Sequence, residues 1–127
     1  MMNQKDLGEL GERVAVQELE AKGYRILEHN WRVLEGEVDI IAKEGETIVF
    51  VEVKTRRSRK FGYPEEAITR KKRTRLIKAA LLYLEEKLLQ NVDWRFDLIA
   101  IECHPKGEVA RLEHLEDVIQ GESGEFF

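Results

Sequence analysis

Apolar residues recur at helical spacing in two stretches of the chain and predict two amphipathic helices. The first helix is predicted over Lys5 to Gly23, where the glycine supplies the end signal. The second is predicted to begin at Glu65 or Thr69 and to end at Leu89. The apolar positions are Leu7, Leu10, Val14 and Ala21 in the first helix, and Leu76, Ile77, Ala80, Leu81, Leu84 and Leu88 in the second. Each helix therefore has one face to bury against another element.

Short runs rich in Val, Ile and Phe predict strands between and after the helices. The predicted strands are Tyr24–Leu27, Glu37–Lys43, Ile48–Lys54, Arg95–Cys103 and, as a last edge strand, Val109–Leu115. A turn at residues 44–47 joins the second and third strands, and residues 56–64 form a loop. The order α-β-β-β-α-β-(β) predicts an α/β (α+β) domain in which two helices pack on one mixed sheet.

The length of 127 residues is typical of one folding unit, and 43% hydrophobic residues suffice for a core. We predict a single domain over 1–127, with its core at about residues 5–104 and a frayed tail at 120–127. No apolar run is long enough to span a membrane, and the first 16 residues lack the apolar segment of a signal peptide. The lone Cys103 excludes an internal disulfide and cysteine-rich zinc sites, so we expect a cytoplasmic protein.

The charges are distributed unevenly along the chain. The segment from Lys54 to Lys78 contains eleven basic and two acidic residues, so its net charge is +9. The whole chain has a net charge of −4, which leaves −13 on the other 102 residues. This asymmetry predicts one basic surface on an otherwise acidic protein. The alternative is an ordinary solvated helix end followed by a charged loop.

A carboxylate lies in the middle of each strand of the predicted hairpin, among apolar side chains. If the turn occupies residues 44–47, the numbers of paired residues sum to 91, and Asp39 lies opposite Glu52. Ile41 then lies opposite Phe50, and strand alternation puts Asp39 on the same face as Ile41. Like charges directly opposed on two strands are destabilising, and burying an ion is costly unless it is paired or bound to a metal. The two carboxylates therefore predict a bound divalent cation.

Mg²⁺ or Mn²⁺ suits this pair, because two carboxylates, a backbone carbonyl and waters supply the oxygen ligands that these ions prefer. The alternative is a salt-bridge cluster at the strand end, because the same register places Glu37 opposite Lys54, beside Asp39 and Glu52. The prediction depends on the register, since a slip of one residue would move Asp39 to the other face.

The first helix offers a third carboxylate. A helical wheel places Glu12 on the packing side of the helix, whereas Glu9 falls on the charged, solvent-facing side. Gly8 and Gly11 are costly inside a helix, which predicts that this stretch packs closely against another element. Glu12 is therefore a candidate for the same site, and the alternative is a partly exposed residue at the edge of the apolar face.

Asp39, followed thirteen residues later by Glu52-Val53-Lys54, resembles the Asp…Glu-X-Lys signature of the PD-(D/E)XK nuclease superfamily. More closely, the chain resembles the YraN-like family of small bacterial proteins, which is assigned to that superfamily. The matching stretches are residues 11–12, 23–24, 30–32, 36–42, 49–56, 61–67 and 95–97, together with Lys71. The resemblance covers about residues 7–101, and it departs from the superfamily pattern at Val38, where a proline is usual.

The resemblance implies a restriction-endonuclease-like core with the active site at the edge of a strand hairpin. It implies that Asp39 and Glu52 are metal ligands and that Val53 adds its backbone carbonyl. It also implies that Lys54 orients or helps to deprotonate the attacking water, and that Glu12 corresponds to a helix carboxylate found in several members. A metal would neutralise charge on the phosphoryl oxygens and supply hydroxide near neutral pH.

The basic segment then predicts a surface that binds the phosphate backbone without reading sequence. The predicted contacts are Arg56, Arg57, Arg59, Lys60, Arg70, Lys71, Lys72, Arg73 and Arg75. Together these features predict an Mg²⁺- or Mn²⁺-dependent endonuclease acting on DNA, with branched or flapped structures as candidate substrates and RNA as an alternative. Two other classes stay open: a non-catalytic nucleic-acid-binding module on a nuclease scaffold, and an interaction protein that forms a homodimer through the long helix.

Overall fold

The computed structural model describes residues 2–57 and 68–119, in which two helices flank one five-stranded sheet. The elements are α1 (Gln4–Ala21), β1 (Arg25–Val33), β2 (Gly36–Glu44), β3 (Thr47–Arg56), α2 (Arg70–Glu86), β4 (Trp94–Cys103) and β5 (Val109–Leu115). The strands lie side by side in chain order; β3 and β4 are parallel, and the other neighbouring pairs are antiparallel. The predicted mixed α/β fold and its element order are therefore confirmed.

Each face of the sheet carries its own apolar core beneath one helix. The core under α2 includes Phe50, Phe96, Leu76, Tyr83 and Leu84. The core under α1 includes Leu7, Leu19, Val51, Ile99 and Ile101. Because both faces of the central strands are covered, β3 and β4 read as nearly continuous apolar runs in the sequence.

Helix α1 lies against the end of β3 that carries the predicted site. Its N-cap is Asn3, whose side chain accepts a 2.8 Å hydrogen bond from the Asp6 N–H. The buried stripe is Leu7, Gly11, Ala15 and Leu19, whereas the predicted positions Leu10 and Val14 are half-buried and Ala21 is exposed. A Cβ built at Gly11 would lie 1.7 Å from Thr55 Oγ1, so this glycine permits the close approach that the sequence predicted. Gly8 has no neighbour within 4 Å of such a Cβ, so the same prediction is wrong there.

Three predicted boundaries differ from the structure. Strand β1 is longer than Tyr24–Leu27, because pairing with β2 continues across polar residues that show no strand periodicity. Helix α2 begins at Arg70, since the Thr69 hydroxyl caps it by accepting from Lys72 N–H, and it ends before Leu88, whose φ is 56°. The hairpin turn is Gly45-Glu46, because Glu44 and Thr47 already pair.

The predicted frayed tail, residues 120–127, and most of the predicted loop at 56–64 lie outside the described residues. The predicted contacts Arg59 and Lys60 fall in that loop, so the structure does not place them. Within the described ranges, neither helix is long and apolar enough to cross a membrane.

Candidate active site

The two strands of the hairpin part at Asp39. Their pairing runs from Glu44 with Thr47 to Ile40 with Val51, which confirms the predicted register over these residues. Among the described residues the pairing stops there, so the predicted ladder pair of Asp39 with Glu52 does not form. The Asp39 side chain instead accepts a 2.8 Å hydrogen bond from the Val53 N–H through Oδ2. The Asp39 carboxylate is thus hydrogen-bonded to β3 at the point where β2 and β3 diverge.

The predicted alternation of faces along β2 is wrong at this point. Val38 and Ile41 both belong to the core under α2 although they are three positions apart, and Ile40 belongs to the core under α1. On β1 the residue facing the break is Asn30, which lies between two regular pairs and has a φ of 46°. This local distortion of both strands turns Asp39 away from the face of Ile41.

Asp39 consequently lines a cleft on the α1 side of the sheet. The cleft has a volume of about 320 Å³ and is lined by Glu12, Asp39, Val53 and Lys54, with Gly8 at its α1 wall. Four of the residues that the sequence placed in the catalytic or metal set therefore meet at one opening. Glu52 is half-buried next to Asp39, and its carboxylate lies within reach of α2.

Asp39 and Glu52 interact closely enough to affect ionisation. Burial, together with the charge and the hydrogen bond of the Glu52 carboxylate, raises the pKa of Asp39 to about 8, while the Val53 N–H acts in the opposite direction. Two carboxylates this close in a partly buried site cannot both ionise without cost. In the metal-free protein the pair therefore favours holding one proton near neutral pH.

Lys54 and Glu12 are both perturbed by the same surroundings. Partial burial and the neighbouring charges of Lys72 and Arg56 lower the pKa of Lys54. Burial and the Asp39 carboxylate raise the pKa of Glu12, although Asn30 Nδ2 donates a 3.4 Å hydrogen bond to Glu12 Oε2. Perturbed groups that share a cleft are typical of functional sites.

The donor set at Asp39 fits a hard divalent cation that keeps most of its waters. Within the part of the chain that the structure describes, no three His, Cys, Asp or Glu side chains surround one point. Mg²⁺ is usually bound through one or two carboxylates with waters and substrate phosphates completing the shell. Asp39 and Glu52 supply two such carboxylates.

The sequence of the chain places it among known proteins. A family model described as "Uncharacterised protein family UPF0102" matches residues 11–101. The chain belongs to the UPF0102 family. The family resemblance inferred from the sequence is therefore confirmed, while membership of the wider nuclease superfamily stays a prediction.

UPF0102 relatives cover most of the chain. A UPF0102 protein of Caldicellulosiruptor saccharolyticus is 52% identical over 108 residues, which is 85% of this chain and 92% of the relative. One of Syntrophus aciditrophicus is 48% identical over 113 residues, covering 89% of this chain and 87% of the relative. One of Beutenbergia cavernae is 47% identical over 118 residues, covering 92% and 99%. The similarity therefore extends over almost the full length of these proteins.

The basic residues of this UPF0102 chain divide into an exposed group and an anchored group. Arg70, Lys71 and Arg75 are exposed on the first turns of α2. Lys72 and Arg73 are half-buried on the same turns, and Lys72 Nζ lies 3.6 Å from Glu52 Oε1. Arg56 and Arg57 are half-buried at the end of β3, where the Arg57 guanidinium donates to the Met2 carbonyl oxygen. The basic turns of α2 and the carboxylates thus adjoin through Lys72.

A second buried carboxylate, Asp97 on β4, was not assigned a role from the sequence. It accepts hydrogen bonds from Arg95 Nε at 2.9 Å, from His114 Nε2 at 2.7 Å and from the Asp117 N–H at 3.0 Å. Lys22 Nζ lies 3.0 Å from His114 Nδ1, so Nδ1 accepts from the ammonium, and the His114 Nε2–H donates to Asp97. The sequence signals were a polar residue inside the apolar β4 run and the family match at residues 95–97, and neither indicates the partners on β5 and in the segment after it.

Proposed function

We propose that this UPF0102 protein is a Mg²⁺- or Mn²⁺-dependent nuclease of the PD-(D/E)XK superfamily that hydrolyses phosphodiester bonds in DNA. The observation that carries the proposal is the Asp39–Glu52 pair where β2 and β3 diverge: the two carboxyl groups are hydrogen-bonded to each other, and burial and the Glu52 charge destabilise the charged form of Asp39. Lys54, two residues after Glu52, lines the cleft beside Asp39, which matches the order of the superfamily signature. A purely structural pair of carboxylates would carry the same cost at Asp39 without a bound metal to offset it.

Asp39, Glu52 and the Val53 backbone carbonyl would hold the metal. When bound, it would supply a hydroxide near neutral pH and offset charge on the phosphoryl oxygens. The two carboxylates would lose the proton that they share in the metal-free state. The Val53 N–H would keep Asp39 oriented throughout, because its hydrogen bond fixes one carboxylate oxygen.

Lys54 would act on the attacking water. Its lowered pKa makes the ammonium release a proton more readily than an ordinary lysine, so it can orient the water and help to deprotonate it. Glu12 would orient the water shell of the metal from the α1 side. It lines the cleft together with Asp39, whose charge raises the pKa of Glu12.

The first turns of α2 would bind the phosphate backbone next to this cleft. Six basic residues lie between Arg70 and Lys78, and the first turn of α2 contains no acidic residue. The helix dipole is positive at the N-terminus and therefore disfavours the basic side chains there. A phosphate at this position would be stabilised both by the dipole and by those side chains. Backbone contacts of this kind give affinity without sequence readout, so any selectivity would follow DNA structure.

The test is cleavage of a panel of linear, flapped, single-stranded and four-way-junction DNAs, with matching RNAs, in Mn²⁺ or Mg²⁺. We expect cleavage of at least one DNA structure, loss of cleavage in Glu52→Ala, and full activity in the matched control Glu46→Ala. Glu46 is suitable because its side chain is 97% exposed in the hairpin turn, at the far end of β2 and β3. Full activity in a folded Glu52→Ala protein would overturn the proposal. Binding of DNA without cleavage by the wild type would identify the non-catalytic module instead.

The binding surface is tested separately by neutralising Arg70, Lys71 and Arg75 to glutamine. DNA affinity should fall, and the slope of affinity against salt should flatten by up to about 0.9 per lost phosphate contact. The control neutralises Arg25, Lys43 and Lys87, which lie at the opposite end of the sheet and of α2. Equal losses in the two triple variants would place the DNA elsewhere.

A further inference from the structure

The ion pair between Lys72 and Glu52 joins the candidate metal ligands to the basic turns of α2. Lys72 Nζ lies 3.6 Å from Glu52 Oε1; the lysine side chain is 38% exposed, and the glutamate side chain is 11% exposed. The Lys72 backbone is fixed in the first turn of α2, where its N–H donates to the Thr69 hydroxyl. The flexible Lys72 side chain therefore extends from the basic turns of α2 to Glu52 while its backbone stays fixed.

The Lys72 ammonium acts on two members of the site at once. It compensates the charge of Glu52, and it also contributes to the lowered pKa of Lys54, for which its charge is the largest cause after burial. A divalent cation on Glu52 would repel that ammonium, because like charges that close in a partly buried site cannot both be accommodated. Lys72 and a metal are thus competitors for the same carboxylate.

The Lys72 ammonium also has an alternative position away from Glu52, on the basic turns of α2. Arg70, Lys71 and Arg75 are exposed on the same turns of α2, so an ammonium that leaves Glu52 stays among the side chains that would face phosphates. A lysine stem has enough rotatable bonds to make such a move without shifting the helix. A DNA phosphate at these turns would accept the released charge.

We propose that Lys72 is a positioning residue that couples metal binding to DNA binding: it holds Glu52 in the metal-free protein and moves to a substrate phosphate when a divalent cation takes its place. The inference rests on the proposed function, because it requires both a metal at Glu52 and DNA on α2. Coupling of this kind is reciprocal. Metal must strengthen DNA binding, and DNA must strengthen metal binding by the same factor.

The experiment compares Lys72→Met with the matched control Lys71→Met, the adjacent exposed lysine of the same turn. Mn²⁺ affinity is measured by calorimetry without DNA. The affinity for a flapped DNA is measured by fluorescence anisotropy in chelator and in Ca²⁺, which takes oxygen ligands of the same kind. Neither readout requires turnover.

For the wild type we expect Ca²⁺ to strengthen DNA binding by about 5- to 150-fold, the usual range of coupling between two sites. Lys72→Met should bind Mn²⁺ more tightly than the wild type and should lose most of the effect of Ca²⁺ on DNA affinity. Lys71→Met should weaken DNA binding equally with and without Ca²⁺, and its Mn²⁺ affinity should rise less than that of Lys72→Met.

Unchanged or weaker Mn²⁺ binding by Lys72→Met, or an unchanged effect of Ca²⁺ on its DNA affinity, would overturn the coupling and leave the proposed function intact. Equal gains in Mn²⁺ affinity for both lysine variants would also overturn it, since they would reflect a general loss of positive charge. A wild type that binds neither Mn²⁺ nor DNA would overturn the proposed function and the coupling together.

Discussion

Asp39 is half-buried and Asp97 is buried on the same sheet, and the groups that surround the two carboxylates are opposite in character. Asp97 is 1% exposed and accepts hydrogen bonds from a guanidinium, an imidazole and a backbone N–H. Burial alone would raise its pKa, but the bonds from His114 and Arg95 outweigh burial, so the pKa of Asp97 is lowered. Asp39 has one backbone N–H and a second carboxylate as neighbours, and its pKa is raised.

The difference separates a carboxylate whose charge the fold stabilises from one whose charge its neighbours oppose. Arg95 also contacts the Tyr24 hydroxyl at 2.8 Å, and it pairs with Glu44 at 3.1 Å and with Glu116 at 2.9 Å, so the Asp97 cluster ties several segments together. The Asp39 site contains the reverse arrangement, in which like charges adjoin and Lys72 pairs with Glu52. The groups that contact each carboxylate therefore decide the direction in which its pKa shifts.

Removing the charge of each aspartate should have opposite effects on stability. Asp97→Asn should lower the free energy of unfolding by about 3–5 kcal/mol, because the Arg95 guanidinium loses its buried counter-charge and the His114 N–H loses a charged acceptor. Asp39→Asn keeps an acceptor for the Val53 N–H and removes the cost of holding the Asp39 carboxyl protonated beside Glu52, so it should be neutral or stabilising. Urea unfolding at pH 7 in chelator measures both. A similar loss in Asp39→Asn would show that Asp39 is structural in the same sense as Asp97.

Added metal should act on one aspartate only. At a free Mn²⁺ concentration one hundred times its dissociation constant, the wild type should gain about 2.7 kcal/mol of unfolding free energy. Asp39→Asn and Glu52→Gln should gain little or nothing. An Asp97→Asn protein that still folds should respond like the wild type. An equal gain of unfolding free energy in Glu52→Gln would mean that the metal does not bind at Asp39 and Glu52.

Glu12 should tune the site while Glu9 should not. Glu12→Gln should reduce metal affinity or cleavage rate by about 10- to 100-fold, the usual size of an outer-shell effect. Glu9→Gln is the matched control, because Glu9 also lines the cleft but is exposed on α1. Both effects are read by calorimetry with Mn²⁺ and by the cleavage assay. If Glu9→Gln abolished activity and Glu12→Gln had no effect, then Glu9 would be the α1 carboxylate that acts in the cleft.

The pH dependence of stability should differ in sign between the two sites. A raised pKa makes folded Asp39 favour its proton, so its contribution to stability is complete below about pH 4 and is lost as the pH rises toward about 8. A lowered pKa gives Asp97 the opposite dependence. Its contribution to stability is complete above the ordinary pKa of aspartate and is lost as the pH falls from there through the lowered pKa of the folded state.

Unfolding in chelator between pH 3 and pH 8 tests this difference. The stability of the wild type relative to Asp39→Asn should fall with rising pH, by at most about 1.4 kcal/mol per pH unit for one proton. Its stability relative to Asp97→Asn should shrink only at the acidic end. Parallel curves for the wild type and Asp39→Asn would contradict the raised pKa.

Much of the architecture could be predicted from short-range patterns. The register predicted from a turn at residues 44–47 is correct from Ile40 to Glu44, because the position of a short turn fixes strand pairing. The same reasoning failed at Asp39, where the pairing ends and the faces change. A break in alternation depends on the distortion at Asn30 of the neighbouring strand, which has no signature in the sequence of β2.

The contacts that give the candidate site its chemistry were also beyond the sequence. Lys72 was predicted only as one of several phosphate contacts, because nothing in its spacing from Glu52 indicates an ion pair between a helix and a strand. Gly36 gave no signal either, although a Cβ there would lie 2.5 Å from the Arg75 carbonyl oxygen of α2. This close approach sets the start of β2 against the basic turns of α2.

The sequence by itself determined the elements of this protein, their order, the family, and the two carboxylates and the lysine of the candidate site. Periodicity and motif spacing report which residues share a local face, and they are sufficient for those conclusions. Only the tertiary structure decided that Asp97 would accept hydrogen bonds from three donors, and that Lys72 would pair with Glu52. Electrostatic energy depends on distance through space, and His114 and Lys72 lie on different elements from the carboxylates that they contact.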